Sequence, residues 1–258
     1  MSQRLQGKSV LVTGATAGIG EATVLAFAAA GAKVLACGRR ADRLEALSRA
    51  VAQNYGTPFY GFALDVRDRE AVDRSLGELP PEFLPLDVLV NNAGLSRGLE
   101  PLQKGEIEDW EEMIDTNLKG LLYVTRRLLP AMVARGEGHV IMLGSIAGRE
   151  VYPGGNVYCA TKHAVAGLTR ALRLDLVDTG VRLSSVDPGL VNTEFSTVRF
   201  HGDFERGQGA YSGMTPLVAE DVAEAIVWVA DRPAHVTIAD MMILPADQAS
   251  TTSVHRRS

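Results

Sequence analysis

Tyr158 and Lys162 stand four residues apart in the run YCATK. In a helix that spacing places both side chains on one face, one above the other. A phenol with an ordinary pKa of about 10 is a poor acid or base at neutral pH. A cation one helical turn away favours the phenolate and brings proton exchange nearer pH 7. Ser145 closes the run HVIMLGS, which reads as a buried strand ending at a sheet rim. A hydroxyl there can orient an oxygen that the tyrosine protonates. The same spacing also fits a surface pair on a solvated helix, so the choice turns on the elements around it.

Those elements alternate. Lys8–Thr13 is a short β-branched run, readable as a buried parallel strand. It runs into TGATAGIG at 13–20, then an alanine-rich helical pattern from Glu21 to Ala30 that closes at Gly31. Glycines in such a turn let a ligand approach the backbone, and the helix start offers free N–H groups to a phosphate. They also simply make tight turns, so the motif gains weight from its place between strand and helix. The second strand, Lys33–Cys37, ends in Gly38-Arg39-Arg40. In a dinucleotide fold an acid at this tip takes the ribose hydroxyls of NAD, and an arginine accommodates the 2′-phosphate of NADP. Here the acid is missing and two arginines are present. A side chain at Gly38 is expected to point at the same ribose. The competing reading, that the arginines open a solvated helix over 41–53, does not explain the missing acid.

Further strands are expected at Pro58–Leu64, Asp87–Val90, His139–Gly144, Val181–Val186 and Ile238–Leu244, with helices over 68–79, 107–134, 156–178 and 218–231. Asn117 falls inside the second of these helices. Its amide competes with backbone hydrogen bonds, which points to a kink or a function there. The segment 192–214, rich in Gly, Phe and charge, has weak periodicity and reads as a lid over a site. No linker or composition break divides the chain. The fold class expected is α/β, one doubly wound Rossmann domain over 1–258 with a mostly parallel seven-stranded sheet and helices on both faces.

Composition narrows the function. The 258 residues are 46% hydrophobic and 22% charged, with a formal net charge of -5 and no long basic block. That is a globular chain without the footprint of a nucleic-acid binder. No apolar run reaches the ~20 residues of a membrane helix, and the start leads straight into a strand, so no signal peptide is expected. Two cysteines, Cys37 and Cys159, make no disulfide framework and fit a reduced, cytoplasmic protein. The five histidines show no metal-binding spacing, so no catalytic metal is expected.

Together, TGATAGIG, NNAG at 91–94, Asn117, Ser145, YCATK and PG at 188–189 resemble the short-chain dehydrogenase/reductase family along nearly the whole chain. CGRRADRL, DWEEMIDTNLKGL, PGLVNTEFSTVRFHGD and PAHVTIADMMILPADQ are similar to its NADP-dependent 3-hydroxy acid dehydrogenase branch, which includes serine and allo-threonine dehydrogenases and reductases of malonic or sulfo-semialdehydes.

The resemblance implies roles. Tyr158 would be general acid in reduction and base in oxidation. Lys162 would lower its pKa and hold the nicotinamide ribose. Ser145 would orient the substrate, and Asn117 would hold a relay water behind Lys162. Gly14, Ala17, Gly18, Ile19 and Gly20 would line the pyrophosphate, and Arg39 and Arg40 would take the 2′-phosphate. Asp65 and Val66 would meet the adenine. Asn92, with Ala93 and Gly94, would meet the adjoining ribose. Pro188, Gly189, Val191 and Thr193 would cover the nicotinamide. A homotetramer built on the two long helices is implied too, although those helices could equally be core elements.

A hydroxy acid needs a cation for its carboxylate. Arg199, in the expected lid, and Arg149, where the family carries small or apolar residues, are the two candidates. Either could also be a surface arginine. Two other readings stay open: a carbonyl reductase of uncharged ketones, and a non-catalytic sensor of the cofactor on the same fold.

Overall fold

The runs of Val, Leu and Ile that alternate with helical patterns form strands, the inner ones buried on both faces, as a sheet covered by helices requires. The computed structural model describes residues 3–257. In chain order these are β1 (Ser9–Thr13), α1 (Gly18–Ala29), β2 (Lys33–Gly38), α2 (Ala41–Asn54), β3 (Phe59–Ala63), α3 (Arg69–Gly77), β4 (Val88–Asn91), α4 (Ile107–Ile114), α5 (Leu121–Arg135) and β5 (Gly138–Leu143). There follow α6 (Asn156–Asp175), β6 (Val181–Pro188), α7 (Glu194–Arg199), α8 (Phe204–Gly209), α9 (Ala219–Ala230) and β7 (Asp240–Ile243). The seven strands form one sheet in the order β3-β2-β1-β4-β5-β6-β7. Every pairing is parallel, the last one included, so the expected mostly parallel sheet is wholly parallel.

Side-chain alternation divides the core into two layers. Val10 and Val12 of β1 face a layer with Phe27 of α1 and Val222, Ile226 and Val229 of α9. Leu11, between them, faces the opposite layer with Val124 and Met132 of α5 and Val165 of α6. Strand order reverses between β1 and β4, and the carboxyl ends of the strands there open the crevice in which such folds bind ligands.

The helix expected over 107–134 is a continuous helical run with a π turn, Asp115–Gly120, inserted between α4 and α5. Asn117 sits in that turn, so the helix is irregular at the residue that marked a kink or a function. The segment 192–214 holds two six-residue helices, α7 and α8, where the sequence showed little periodicity. Helices this short turn too few residues toward the core to leave a repeating pattern.

Candidate active site

The turn after β1 is built by contacts that only glycine permits. Gly14 has φ +66° and Gly18 has φ +52°. A Cβ on Gly14 would lie 2.8 Å from the Ala93 Cα, and one on Gly20 would collide with the Gly14 carbonyl and the Asn92 amide. Thr13 clips the two strand ends together: its Oγ1 accepts hydrogen bonds from the N–H groups of Asn92 (3.1 Å) and Ala93 (3.0 Å). Asn92 donates from its side chain to the carbonyls of Thr13 (2.8 Å) and Gly14 (3.1 Å). No side chain caps α1, so its first N–H groups face the crevice. This is a cradle for a phosphate-bearing cofactor.

The tip of β2 supplies cations. Arg40 donates from Nε to the Thr16 hydroxyl at 3.2 Å and from Nη2 to the Thr16 carbonyl at 3.1 Å. Arg39 is half exposed and pairs with Glu112 at 3.6 Å. Gly38 lines the same cavity, where a side chain was expected to point at the ribose, but it has no room for one. A Cβ there would lie 2.7 Å from Cγ2 of Thr16, so any side chain has to displace that residue. Asp65 is partly buried, which opposes its charge, but hydrogen bonds from Arg67 hold its carboxyl below the usual range.

At the other end of the crevice Ser145, Tyr158 and Lys162 come together. Ser145 begins a short 3-10 turn after β5, where its Oγ accepts from the Ala147 N–H at 3.0 Å. Tyr158 and Lys162 lie on α6, both buried. Lys162 donates from Nζ to the Leu143 carbonyl at 2.9 Å. Burial brings its pKa down to about 8, with Asp187 opposing the fall.

The phenol corrects an expectation. Burial pushes the Tyr158 pKa up, and neighbouring Tyr152 adds to the rise; Arg199 and a Ser145 hydrogen bond pull the other way. The Lys162 ammonium is turned to the Leu143 carbonyl and lies 6.0 Å from the centre of the tyrosine ring, and burial prevails. The Arg199 guanidinium carbon lies 5.5 Å from the same centre.

Asn117 is fully engaged elsewhere. Its Oδ1 accepts from the Leu95 N–H at 2.8 Å, and its Nδ2 donates to the Leu95 carbonyl (2.8 Å) and to Thr161 Oγ1 (3.1 Å). It braces the loop after β4 against α6 next to Lys162, and its side chain does not reach Lys162.

A cavity of about 600 Å³ joins the two ends. The residues expected to meet the cofactor all line it, from Gly14 to Thr193, together with Ser145, Tyr158, Lys162 and Arg199. Asn117 lies behind its wall and Arg149 outside it. Arg149 is the second correction. Its guanidinium pairs with buried Asp187, from Nε at 2.7 Å, and reaches Asp240 at 3.6 Å, so it is not available to a substrate in the cavity. Arg199 is. It donates from Nε to Ser96 Oγ and from Nη2 to the Tyr152 hydroxyl, each at 3.1 Å, and packs against Phe195. Two of its five N–H donors are engaged in this way.

Several lining residues had no signal in the sequence. Thr16 lies inside the glycine motif but holds Arg40 through the fold. Tyr152 and Phe195 shape the wall around Arg199. Gln248, from the tail after β7, accepts from the Leu190 N–H at 2.8 Å and so fixes the segment beyond β6.

The sequence pattern of a family described as short chain dehydrogenase matches residues 8–203. The chain belongs to that family. An NADP-dependent 3-hydroxy acid dehydrogenase of Salmonella typhi is 51% identical over 249 residues, 96% of this chain and 99% of the relative. Serine 3-dehydrogenase of Rhizobium radiobacter is 44% identical over 241 residues, 93% and 95% of the two chains. Among solved structures, the closed form of a serine dehydrogenase complexed with NADP+ superposes with a TM-score of 0.90 at 49% identity, covering 96% of this chain and 99% of that one. As a short-chain dehydrogenase, the chain places its glycine turn and its Tyr–Lys helix at the two ends of one cavity.

Proposed function

We propose that this short-chain dehydrogenase is an NADP-dependent oxidoreductase acting between a small 3-hydroxy acid and the corresponding aldehyde or keto acid. The observation that carries this reading is one cavity with a phosphate cradle and arginines at one end and Ser145, Tyr158, Lys162 and Arg199 at the other. NADP fits it: the turn has no room for side chains, α1 has no side-chain cap, and Arg40 stands where the 2′-phosphate would be held. When bound, NADP supplies or accepts the hydride.

The chain's own residues do the rest. Tyr158 gives a proton to the substrate oxygen in reduction and takes it back in oxidation. Ser145 holds that oxygen by its hydroxyl. Lys162, with a pKa near 8 and its ammonium at the end of β5, stabilises the phenolate as it forms and would hold the nicotinamide ribose. Asn117 fixes the bend that keeps the loop after β4 beside Lys162, a positioning role. Arg199 receives the substrate carboxylate, and Ser96 and Tyr152 orient it. Residues 192–214 form the lid that carries Arg199.

Arg199 is what favours an acid over an uncharged ketone. A panel of L-serine, L-allo-threonine, 3-hydroxypropionate, 3-hydroxybutyrate and a neutral alcohol, oxidised with NADP+, tests this. The acids are expected to be preferred, and Arg199→Met to raise their KM at least about tenfold while sparing the alcohol. Equal kcat/KM for acid and alcohol in the unaltered protein would favour the carbonyl reductase reading.

The whole of 1–258 is proposed as one domain, acting in the cytoplasm as a homotetramer. Both cysteines are free and buried, which suits a reducing compartment. No helix among the described residues is long and apolar enough to cross a membrane. Leu122 and Val133 of α5 and Leu174 of α6 are exposed apolar side chains, which suits helices that meet a second copy.

A further inference from the structure

Glu194 takes no part in the chemistry above, yet it joins the lid to the cofactor end of the cavity. It is the first residue of α7. One of its carboxylate oxygens accepts from Arg40 Nη1 at 2.9 Å, and the other accepts from Arg43 Nη1 at 2.6 Å. The same arginines converge on Thr16, Arg40 as described and Arg43 through Nη1 to the carbonyl at 3.3 Å. Three segments therefore meet at one anion: the glycine turn, the first turn of α2 and the start of the lid. Burial opposes the charge on Glu194, but hydrogen bonds from Arg43 and Arg40 hold its carboxyl below the usual range, so it is ionised at neutral pH.

Two planar guanidinium groups around an oxyanion are also what a phosphate requires. A phosphate monoester at pH 7 carries about 1.5 to 2 negative charges. Seating it beside the carboxylate would set like charges against each other on the same two donors. A nucleotide without that phosphate makes no such demand and leaves the ion pairs intact.

We propose that Glu194 is an internal anion that occupies the Arg40–Arg43 pair in the cofactor-free protein and latches the lid to the glycine turn, and that a 2′-phosphorylated adenosine displaces it. The inference rests on the NADP reading above and adds two things to it. Arg43 becomes a second phosphate-binding arginine, and Glu194 makes the arrival of the 2′-phosphate release the lid. Glu194 thus lowers the affinity for NADP without touching that for NAD.

Calorimetric titration with 2′,5′-ADP and with AMP separates the two readings, since neither ligand carries a nicotinamide or needs turnover. Glu194→Gln is expected to bind 2′,5′-ADP about threefold to tenfold more tightly, the worth of two exposed ion pairs, and AMP as before. Limited proteolysis of the ligand-free variant should cut within 192–214 at the rate seen in the unaltered protein saturated with 2′,5′-ADP. Arg43→Met should weaken 2′,5′-ADP alone. Unchanged or weaker binding of 2′,5′-ADP by Glu194→Gln, with the unaltered protein still preferring 2′,5′-ADP over AMP, overturns the inference and leaves the NADP reading standing. An unaltered protein that does not distinguish the two ligands removes the NADP reading and the inference with it.

Discussion

Tyr158 is a buried phenol whose pKa is raised, so its proton stays on until a charge arrives to draw it off. That makes it a good resting acid and a poor resting base. On the proposed mechanism reduction begins from the protonated phenol, whereas oxidation needs the phenolate, with Lys162 and Arg199 as the cations at hand to stabilise it. Tyr158→Phe keeps the ring, its edge contact with Phe195 at 5.7 Å and the fold, but removes the proton. Turnover in both directions is expected to fall about 10²–10⁴-fold while NADPH still quenches or enhances fluorescence as before. A purified variant with near-normal kcat would show that the proton travels by another route. The meeting of these residues in one cavity was legible because it depends on local spacing: i and i+4 on one helix, and a serine at a strand end. Arg149 was not legible, because what decides its role is Asp187 on another strand and Asp240 beyond it. The same holds for the pKa of Tyr158. Spacing predicts a neighbouring cation, but burial is a property of the whole fold, and here it wins.

The elements repeat that division. Strand–turn–helix units could be read from apolar runs punctuated by glycine, since both signals are short-range. The π turn at Asp115–Gly120 was visible only as a misplaced asparagine, and its purpose appears when Asn117 is seen bracing Leu95 against Thr161. The lid helices α7 and α8 were hidden because each is only six residues long, too short to leave a regular apolar stripe. The outer faces of the long helices hold a further consequence. Leu174 is 77% exposed and Val177, just past α6, is 84% exposed. Exposed apolar groups of this size on neighbouring turns are the expected mark of an interface. Light scattering of the purified protein should give the mass of four copies. Leu174→Glu with Val177→Glu, which buries no charge in the monomer, should lower that mass with little change in its circular dichroism. A monomeric mass for the unaltered protein would leave these as ordinary surface residues.

For the molecule as a whole, one side chain should dominate the response to mild acid. His139 lies on β5 in the middle of the sheet and is 1% exposed. Its Nε2 lies 2.8 Å from Ser184 Oγ, and its Nδ1 has no partner. Burial, with the charge of Arg182 adding to it, brings the imidazole pKa from an ordinary 6.5 down to about 3. The folded protein therefore refuses a proton that the unfolded chain accepts as soon as the pH drops below 6.5. Stability is highest above that value and falls with pH through the window from 6.5 to about 3, by at most ~1.4 kcal/mol per pH unit. Carboxylates complicate only the lower part. Asp65, Glu100, Glu112, Glu137 and Glu194 are all lowered from ordinary values of 4.5 or less, so the stability they contribute is lost only below that pH. Lys162 acts at the other extreme, since its fall to about 8 matters only in alkali. Between pH 6.5 and 4.5 the loss should thus belong mainly to His139, and the unfolding free energy from urea titration without cofactor should fall by about 2 kcal/mol over that window. His139→Gln keeps an amide able to bond Ser184 and cannot titrate. It is expected to be less stable at pH 7.5, where an imidazole-shaped site is refilled imperfectly, but to lose almost nothing on going to pH 4.5. If its stability instead falls in parallel with that of the unaltered protein, the acid response comes from elsewhere in the molecule, and the buried imidazole finds a way to take its proton in the folded state.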